Sequence, residues 1–291
     1  MIGYLQKLFF RTSYIRHYAL LGLFAGLLMQ SLAVHAEDEI IYSFGVIPQF
    51  GQQKINTIWK PIINELSRRT GLQFRLVIPR TISEFEESID KGNFDFIYAN
   101  PYQILRLSDS PGYIPLIKDK TPLRGILVVR RDSPVTKVTE LEGKMLAVPA
   151  LNALGASLLL RSDLERLYGV HMTLVDENTH NAAYLSVIYK VTDAAGGVKK
   201  TLNEQEKNIR DELRILYTTR AMPSHPIAVH PRINKKIQSS VKKALMEMSN
   251  NAASKLLLKE IPMDSPVSAS LDDYLVMRNW GLEDFWISNK K

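Results

Sequence analysis

Short apolar runs alternate along the chain with segments whose apolar residues recur three or four positions apart. Residues 40–47 form the first apolar run, which predicts a buried strand, and the spacing of Ile55, Ile58, Ile62 and Leu66 predicts a helix after it. The alternation continues with predicted strands at 74–78, 94–98, 113–117 and 125–130. This pattern predicts an α/β fold with parallel strands and right-handed crossovers.

Local signals mark where two further helices should begin. Ser83 followed by Glu86 has the spacing of a capping box, and Asn100 followed by Pro101 combines an N-cap with a proline at the first helical position. We therefore predict helices beginning near 83 and 101.

The alternation restarts in the second half of the chain, which predicts a second lobe. Strands are predicted at 144–148, 171–175 and 191–195, with Gly196 and Gly197 breaking the last, and helices at 154–167 and 181–190. The apolar run between Pro226 and Pro231 is the predicted return crossing, followed by helices near 234–249 and 252–260. The prediction is a two-lobed fold with two hinge crossings and a ligand cleft, lobe 1 comprising 37–122 and 226–291 and lobe 2 comprising 123–225.

The segment 144–160 carries the first functional signal. An apolar strand ends at Pro149, Asn152 is the predicted N-cap, and a helix begins at Leu154. Unpaired amides in the first turn of a helix, together with the helix dipole, favour a small anion. The alternative is that this turn binds nothing, as in most α/β units.

Ligands of open α/β sheets bind beyond the carboxyl ends of the strands, and the loops predicted there are rich in small and polar residues. Asn100 could serve only as a helix cap, and Tyr98 and Tyr102 could only pack between lobes. Ser224 and His225 could have a hinge or cleft role or could form a plain turn. The candidate ligand-binding residues are Gln49, Tyr98, Asn100, Tyr102, Asn152, Leu154, Gly155, Ala156, His180, Asn181, Gly196 and Ser224.

The first 36 residues predict a secretory signal peptide. Lys7, Arg11 and Arg16 precede an apolar core at 19–29, and small residues at 34–36 suit cleavage. The core is shorter than the roughly 20 residues that span a bilayer, so a retained anchor is the alternative. Removing this segment lowers the net charge from +7 to +4, and no basic cluster indicates nucleic-acid binding.

The chain has no cysteine, which excludes disulfides, thiolate metal sites and the lipid-bearing cysteine of a lipoprotein. The predicted location is therefore the free periplasm. No nucleophile elbow, metalloprotease helix, phosphate-binding loop or dinucleotide fingerprint occurs, so we predict neither an enzyme nor a bound cofactor or metal.

Four segments in order, 94–102, 149–157, 193–197 and 223–229, resemble the phosphate/phosphite/phosphonate-binding periplasmic proteins of ABC transporters. The resemblance implies the type II periplasmic binding protein fold, hinge closure over a small oxyanion, and an ABC permease as partner. It also implies a hydroxyl cluster at the helix start, where this chain has Asn152, Ala153 and Leu154 and keeps only Ser157. No acid matches those that hold an aminophosphonate amine, so a compact or apolar-tailed oxyanion is expected.

Two other functions use the same architecture. A periplasmic sensor would report its ligand to a membrane histidine kinase, and a carrier would bind a more apolar ligand beside Ala153, Leu154 and Ala156. Either would act, like a transport protein, as a monomer in this prediction.

Overall fold

The computed structural model describes residues 40–287, and the predicted signal peptide lies outside these residues. None of the described helices is both long and apolar enough to cross a bilayer. The strands are β1 (Ile41–Val46), β2 (Gln73–Val77), β3 (Phe96–Tyr98), β4 (Ile114–Asp119), β5 (Leu123–Arg130), β6 (Met145–Val148), β7 (Thr173–Asp176), β8 (Ala194–Val198), β9 (Leu213–Met222), β10 (Pro226–Val229) and β11 (Pro266–Ser268).

Helices fill most of the connections between these strands. Short 3₁₀ turns lie at Val138–Leu141, Val276–Trp280 and Leu282–Phe285, and one wider turn lies at Leu154–Leu158. The α-helices are α1 (Gln52–Thr70), α2 (Ile82–Asp90), α3 (Pro101–Arg106), α4 (Leu159–Tyr168), α5 (His180–Ile188), α6 (Lys199–Asn203), α7 (Lys207–Asp211), α8 (Lys235–Asn250), α9 (Ala252–Lys259) and α10 (Asp272–Leu275).

The strands form two separate sheets, one in each lobe of a mixed α/β fold. The first sheet has the order β11-β4-β10-β3-β1-β2 and the second has the order β7-β6-β8-β5-β9. Each sheet keeps a parallel part, β1 with β2 and β3 in the first and β6 with β7 and β8 in the second. The prediction of parallel sheets is wrong for β10, β11, β5 and β9, which pair antiparallel with their neighbours. β5 and β10 enter their sheets directly from the two short crossings, without a helix, and β9 and β11 lie at sheet edges.

The chain crosses between the sheets twice, and the two crossings run side by side. Leu123 pairs with Met222 at one end of the second sheet, and Lys118 pairs with Pro226 in the first. The Ser224 hydroxyl donates to the Asp119 carbonyl oxygen at 2.6 Å, which ties one crossing to the other. The exact lobe boundaries, 37–122 with 226–291 and 123–225, stay a prediction.

Gly196 and Gly197 do not break a strand, as the sequence pattern suggested, but lie inside β8. A Cβ atom on Gly196 would stand 1.8 Å from the Ala156 carbonyl oxygen, and one on Gly197 would stand 2.1 Å from the Tyr184 hydroxyl. The glycines are therefore needed because the wide turn and α5 pack directly on the strand. This contact between distant segments leaves no local sequence signal.

The predicted helix starts are right at one position and wrong at another. Asn100 caps α3, its side chain accepting from the Tyr102 amide at 2.9 Å while Gln103 accepts from the Asn100 amide. The predicted Ser83 and Glu86 capping box is wrong, because Thr81 caps α2 instead. Glu86 faces the interior and is 5% exposed.

The wide turn is packed tightly on the second sheet. A Cβ atom on Gly125 in β5 would lie 2.2 Å from the Gly155 carbonyl oxygen, which is a backbone atom that cannot rotate away. Leu154, Leu158 and Leu159 on the other side join the apolar core of the first sheet. The turn is thus held between the two sheets.

We predict that Gly125→Ser lowers the free energy of unfolding by about 1–3 kcal/mol, because the added side chain displaces this backbone contact. Thermal and urea unfolding measure the change. Gly51→Ser is the matched control, since nothing lies within 4 Å of its Cβ position and serine is a good N-cap for α1. Equal stability of the two variants would contradict the packing described here.

Candidate functional site

The turn before α4 is a single turn of π-helix, wider than an α-helical turn. The amides of Leu158 and Leu159 donate to the carbonyl oxygens of Ala153 and Leu154, five residues earlier in each case. Ala153, not the predicted Asn152, occupies the N-cap position, and it offers no side-chain cap. Isolated π-turns of this kind are frequent at functional sites.

The first amides of this turn are available to a ligand. Among the described residues, the N–H groups of Leu154, Gly155 and Ala156 donate to no acceptor, and the next amide, that of Ser157, bonds the Ala153 carbonyl at 2.8 Å. Unpaired amides at a helix start carry a partial positive charge. The turn therefore has the chemistry of an anion site.

A small cavity of about 30 Å³ lies against these amides, between the two lobes. This volume is enough for one or two water molecules or part of a compact anion. The residues that line it are Ile47, Gln49, Ile82, Asn100, Pro101, Leu123, Ala153, Leu154, Gly155, Ala156, His180, Val198, Met222 and His225.

The sequence candidates fall into two groups in the structure. One group lines the cavity and comes from four separate segments of the chain: Gln49, Asn100, Leu154, Gly155, Ala156 and His180. The other group lies outside the cavity lining: Tyr98, Tyr102, Asn152, Asn181, Gly196 and Ser224.

Each residue of the second group has another local environment. Tyr102 packs against Trp286 at 6.0 Å between ring centroids, and Asn181 is exposed on α5. Gly196 contacts the Ala156 carbonyl, and Ser224 joins the two crossings. Tyr98 lies behind His225, with the two rings stacked 5.4 Å apart.

His225 is the polar lining residue that the list of candidates left out. Its Nε2 lies 2.9 Å from Nε2 of Gln49, and its Nδ1 has no partner among the described residues. The sequence signal was weak, because a histidine beside Pro226 at a crossing is equally typical of a turn. The apolar lining residues, such as Met222 and Val198, carried no signal beyond strand hydrophobicity.

Three buried polar atoms around the cavity lack partners within the described chain. They are the Tyr98 hydroxyl and the Nδ1 atoms of His180 and His225. Buried polar atoms are rarely left unpaired in a folded protein, and where they are, a ligand or water is a common explanation. Two of these atoms belong to residues that line the cavity, which makes the cavity the candidate site.

None of the lining residues within 40–287 is a lysine, arginine, aspartate or glutamate. Burial lowers the pKa of His180 to about 4, and burial together with the charge of His180 lowers the pKa of His225 to about 3. Burial also raises the pKa of Tyr98 well above its usual value. All three side chains are therefore neutral hydrogen-bonding groups at neutral pH.

A second polar network lies behind the lining residue Asn100. Gln103 donates to the Glu86 carboxylate at 3.0 Å and accepts from the Asn100 amide. Burial raises the pKa of Glu86 to about 7, against the opposing effect of its hydrogen bonds from Gln103 and Asn152. This network fixes the start of α3 at the edge of the cavity.

The single hydroxyl expected to remain at the turn, that of Ser157, does not face the cavity. It donates to the Leu151 carbonyl at 2.6 Å and accepts from Arg161 at 3.2 Å. Direct contacts from the turn to a ligand would therefore come from backbone amides. No group of three or more metal-binding side chains occurs within residues 40–287.

Asn152 binds the C-terminal segment 280–287 rather than the cavity. Its side chain donates to the Ile287 carbonyl at 2.9 Å and accepts from the Ile287 amide at 3.0 Å. Arg161 and Arg166 of α4 donate to the carbonyl oxygens of Phe285 and Trp280. The end of the described chain is thus attached to the helix that follows the π-turn.

Comparison with known proteins identifies the family of this chain. The family model for the periplasmic substrate-binding protein of phosphonate ABC transporters matches residues 44–274. The chain belongs to this family. Its fold is therefore the type II periplasmic binding protein fold that the resemblance implied.

Solved structures share the fold at low sequence identity. PhnD1 from Prochlorococcus marinus, in complex with methylphosphonate, has a TM-score of 0.76 at 12% identity, over 85% of this chain and 99% of that chain. A binding component of an ABC phosphonate transporter from Pseudomonas aeruginosa has a TM-score of 0.73 at 14% identity, over 84% and 86%.

A curated relative is a much longer protein, and the match covers only part of each chain. The tetrathionate sensor histidine kinase TtrS of Salmonella typhimurium is 22% identical over 127 residues, which cover 40% of this chain. The matched part is 22% of that kinase, so the chain spans about a fifth of the length of this relative.

We predict that the two buried histidines destabilise the free protein in acid. Their pKa values in the folded state, about 4 and about 3, lie below the unfolded value of 6.5, so the unfolded chain binds protons first as the pH falls. Each should remove up to about 1.4 kcal/mol of stability per pH unit below 6.5. Urea unfolding between pH 7 and 4.5 measures the slope.

The His225→Gln variant should lose stability less steeply than the wild type over this range. The raised pKa of Glu86 makes the folded protein more stable as the pH falls, which opposes the effect of the histidines. The slope for the variant is therefore compared with the measured slope for the wild type. His171→Gln, at an exposed position, is the control. Parallel curves for wild type and His225→Gln would show that His225 is not buried as described.

We also predict that Asn152→Ala loosens segment 280–287. The substitution removes both hydrogen bonds to Ile287, so amides in this segment should exchange with deuterium at least several-fold faster. Hydrogen exchange with mass spectrometry makes the measurement, with Asn203→Ala at the exposed end of α6 as control. Unchanged exchange in the segment would contradict the attachment.

Proposed function

We propose that this chain binds a small oxyanion of the phosphonate and phosphite class between its lobes and delivers it to an ABC permease. The observation that carries the proposal is the π-turn, whose three free amides at Leu154, Gly155 and Ala156 face a cavity with no acidic side chain. Hydrogen bonds from backbone amides at a helix start are well suited to phosphorus oxyanions.

The rest of the lining restricts the substituent on the anion. Ile47, Ile82, Leu123, Val198 and Met222 give the cavity an apolar wall. An aminoalkyl group would bury an ammonium without a carboxylate partner, which is unfavourable. The proposed ligand is therefore compact or carries a short apolar group, as methylphosphonate does.

Binding is proposed to proceed by closure of the two lobes about the crossings at 119–123 and 222–226. Residues from both lobes contribute to the cavity lining, for example Gln49 and His180. A closed state that buries the ligand makes and breaks no covalent bond. In this proposal the protein is no enzyme, acts as a monomer after removal of residues 1–36, and is free in the periplasm.

The match to TtrS favours one second candidate, a periplasmic sensor that reports its ligand to a membrane histidine kinase. Lobe closure serves both functions, because a receptor can recognise the closed form as well as a permease can. Co-purification of the tagged full chain with a permease or with a kinase from membranes distinguishes the two partners.

The ligand class is tested by a thermal-shift screen of residues 37–291. Phosphate, phosphite, methylphosphonate, aminoethylphosphonate, sulfate and a small apolar carboxylate form the panel. A ligand at 100 times its dissociation constant adds about 2.7 kcal/mol of stability, enough for a clear shift. Stabilisation by methylphosphonate or phosphite is expected, and stabilisation by the apolar carboxylate alone would overturn the proposal.

The π-turn amides are tested by a matched pair of variants. We predict that Gly155→Pro, which lacks the amide proton, weakens binding of the stabilising anion by at least about tenfold, the value of one hydrogen bond to a charged group. Gly155→Ala, like the proline variant, places a Cβ atom near Met222, but it keeps the amide. Calorimetry should find that the affinity of the alanine variant is closer to that of the wild type. If both variants lose affinity equally, the Gly155 amide does not bind the anion.

A further inference from the structure

We infer that His225 and His180 act together as a proton-binding pair, one of them taking up a proton when the oxyanion enters the cavity. The inference rests on the proposed function and adds to it the charge that balances the ligand. His225 is the less expected member, because it lies in a crossing between the lobes and not in a strand-to-helix loop.

A bound oxyanion would bring a negative charge into the cavity, and the inferred proton supplies the positive charge that balances it. An oxyanion held by the π-turn would meet partial charges from amides, but no lysine or arginine lines the cavity. An ionised group buried without a counter-charge is strongly unfavourable. Among the described residues that line the cavity, only His180 and His225 have side chains that can become cationic.

The geometry leaves both imidazoles ready to bind. His180 opens α5 beside the second sheet, and His225 lies in the crossing that leads into β10 of the first sheet. The Nδ1 atom of each is buried without a partner in the described chain, as is the Tyr98 hydroxyl behind His225. Gln49 holds the other nitrogen of His225, which fixes the ring.

No fixed charge nearby already balances the pair. Tyr98 and Gln49 face His225, and Tyr184 lies 6.2 Å from His180 between ring centroids. The carboxylates of Asp119 and Glu204, and the hydroxyl of Tyr274, act on Tyr98. Glu86 lies behind Asn100 and is bonded to Gln103.

Burial keeps both imidazoles neutral in the free protein, and each disfavours a charge on the other. A bound anion reverses the first effect and leaves the second, so one proton is expected, not two. Affinity should therefore rise as the pH falls, by up to tenfold per pH unit while the complex binds one proton more than the free partners.

The experiment combines calorimetry with NMR on the folded wild-type protein, with methylphosphonate as the probe. Titrations at pH 8 in buffers of different ionisation enthalpy give the number of protons taken up. Nitrogen-15 shifts of the histidine rings show whether the proton lies on an imidazole or on the ligand. The expected result is uptake of close to one proton and a cationic His180 or His225 in the complex.

Three variants complete the test. His225→Gln and His180→Gln each keep a hydrogen-bonding amide but cannot become cationic at that position. The variant that lacks the proton-binding ring should bind more weakly and with a flatter pH dependence. His171→Gln should behave as wild type. Should His225→Gln fail to fold, the wild-type ring shifts still decide the question.

Binding with both rings neutral would overturn the inference and leave the proposed function intact. Absence of binding by methylphosphonate, phosphite and phosphate alike would overturn both. A ring that becomes cationic in the complex, with uptake of close to one proton in the wild type, supports the inference.

Discussion

The candidate site depends on how closely one turn of backbone approaches a sheet. The carbonyl oxygens of Gly155 and Ala156 lie where side chains on Gly125 and Gly196 would otherwise be. With its carbonyls directed at the sheet, the turn directs its first amides the other way, into the cavity. The absence of side chains in two strands thus determines where the candidate anion-binding surface lies.

The fold brings neutral polar groups together from segments that are distant in sequence. Gln49 follows β1, Tyr98 ends β3, His180 opens α5 and His225 lies in the second crossing. Each comes from the end of a strand or the start of a helix, where the backbone is held by the sheet on one side. In the proposed closure, the movement would therefore be confined to the crossings.

Sequence reasoning predicted the elements that depend on local chemistry. The helix that begins at Pro101, the strand at 145–148 and the free amides after Pro149 follow from caps, apolar runs and proline. It failed where contacts between distant segments decide the structure. Gly196 was predicted to break a strand but lies inside β8, and Asn152 was predicted to cap a helix but binds Ile287. His225 could not be ranked above Ser224, because only the folded crossing shows which of the two faces the cavity.

The uncharged cavity also bears on how binding responds to salt. Attraction between exposed opposite charges is screened over about 8–10 Å at ordinary ionic strength, whereas buried dipoles and hydrogen bonds are screened far less. A site whose described lining offers backbone amides, side-chain amides and imidazoles, without lysine or arginine, gains little from long-range attraction. Its affinity for an anion should accordingly change little between dilute and salty surroundings, a useful property for a protein outside the cytoplasm.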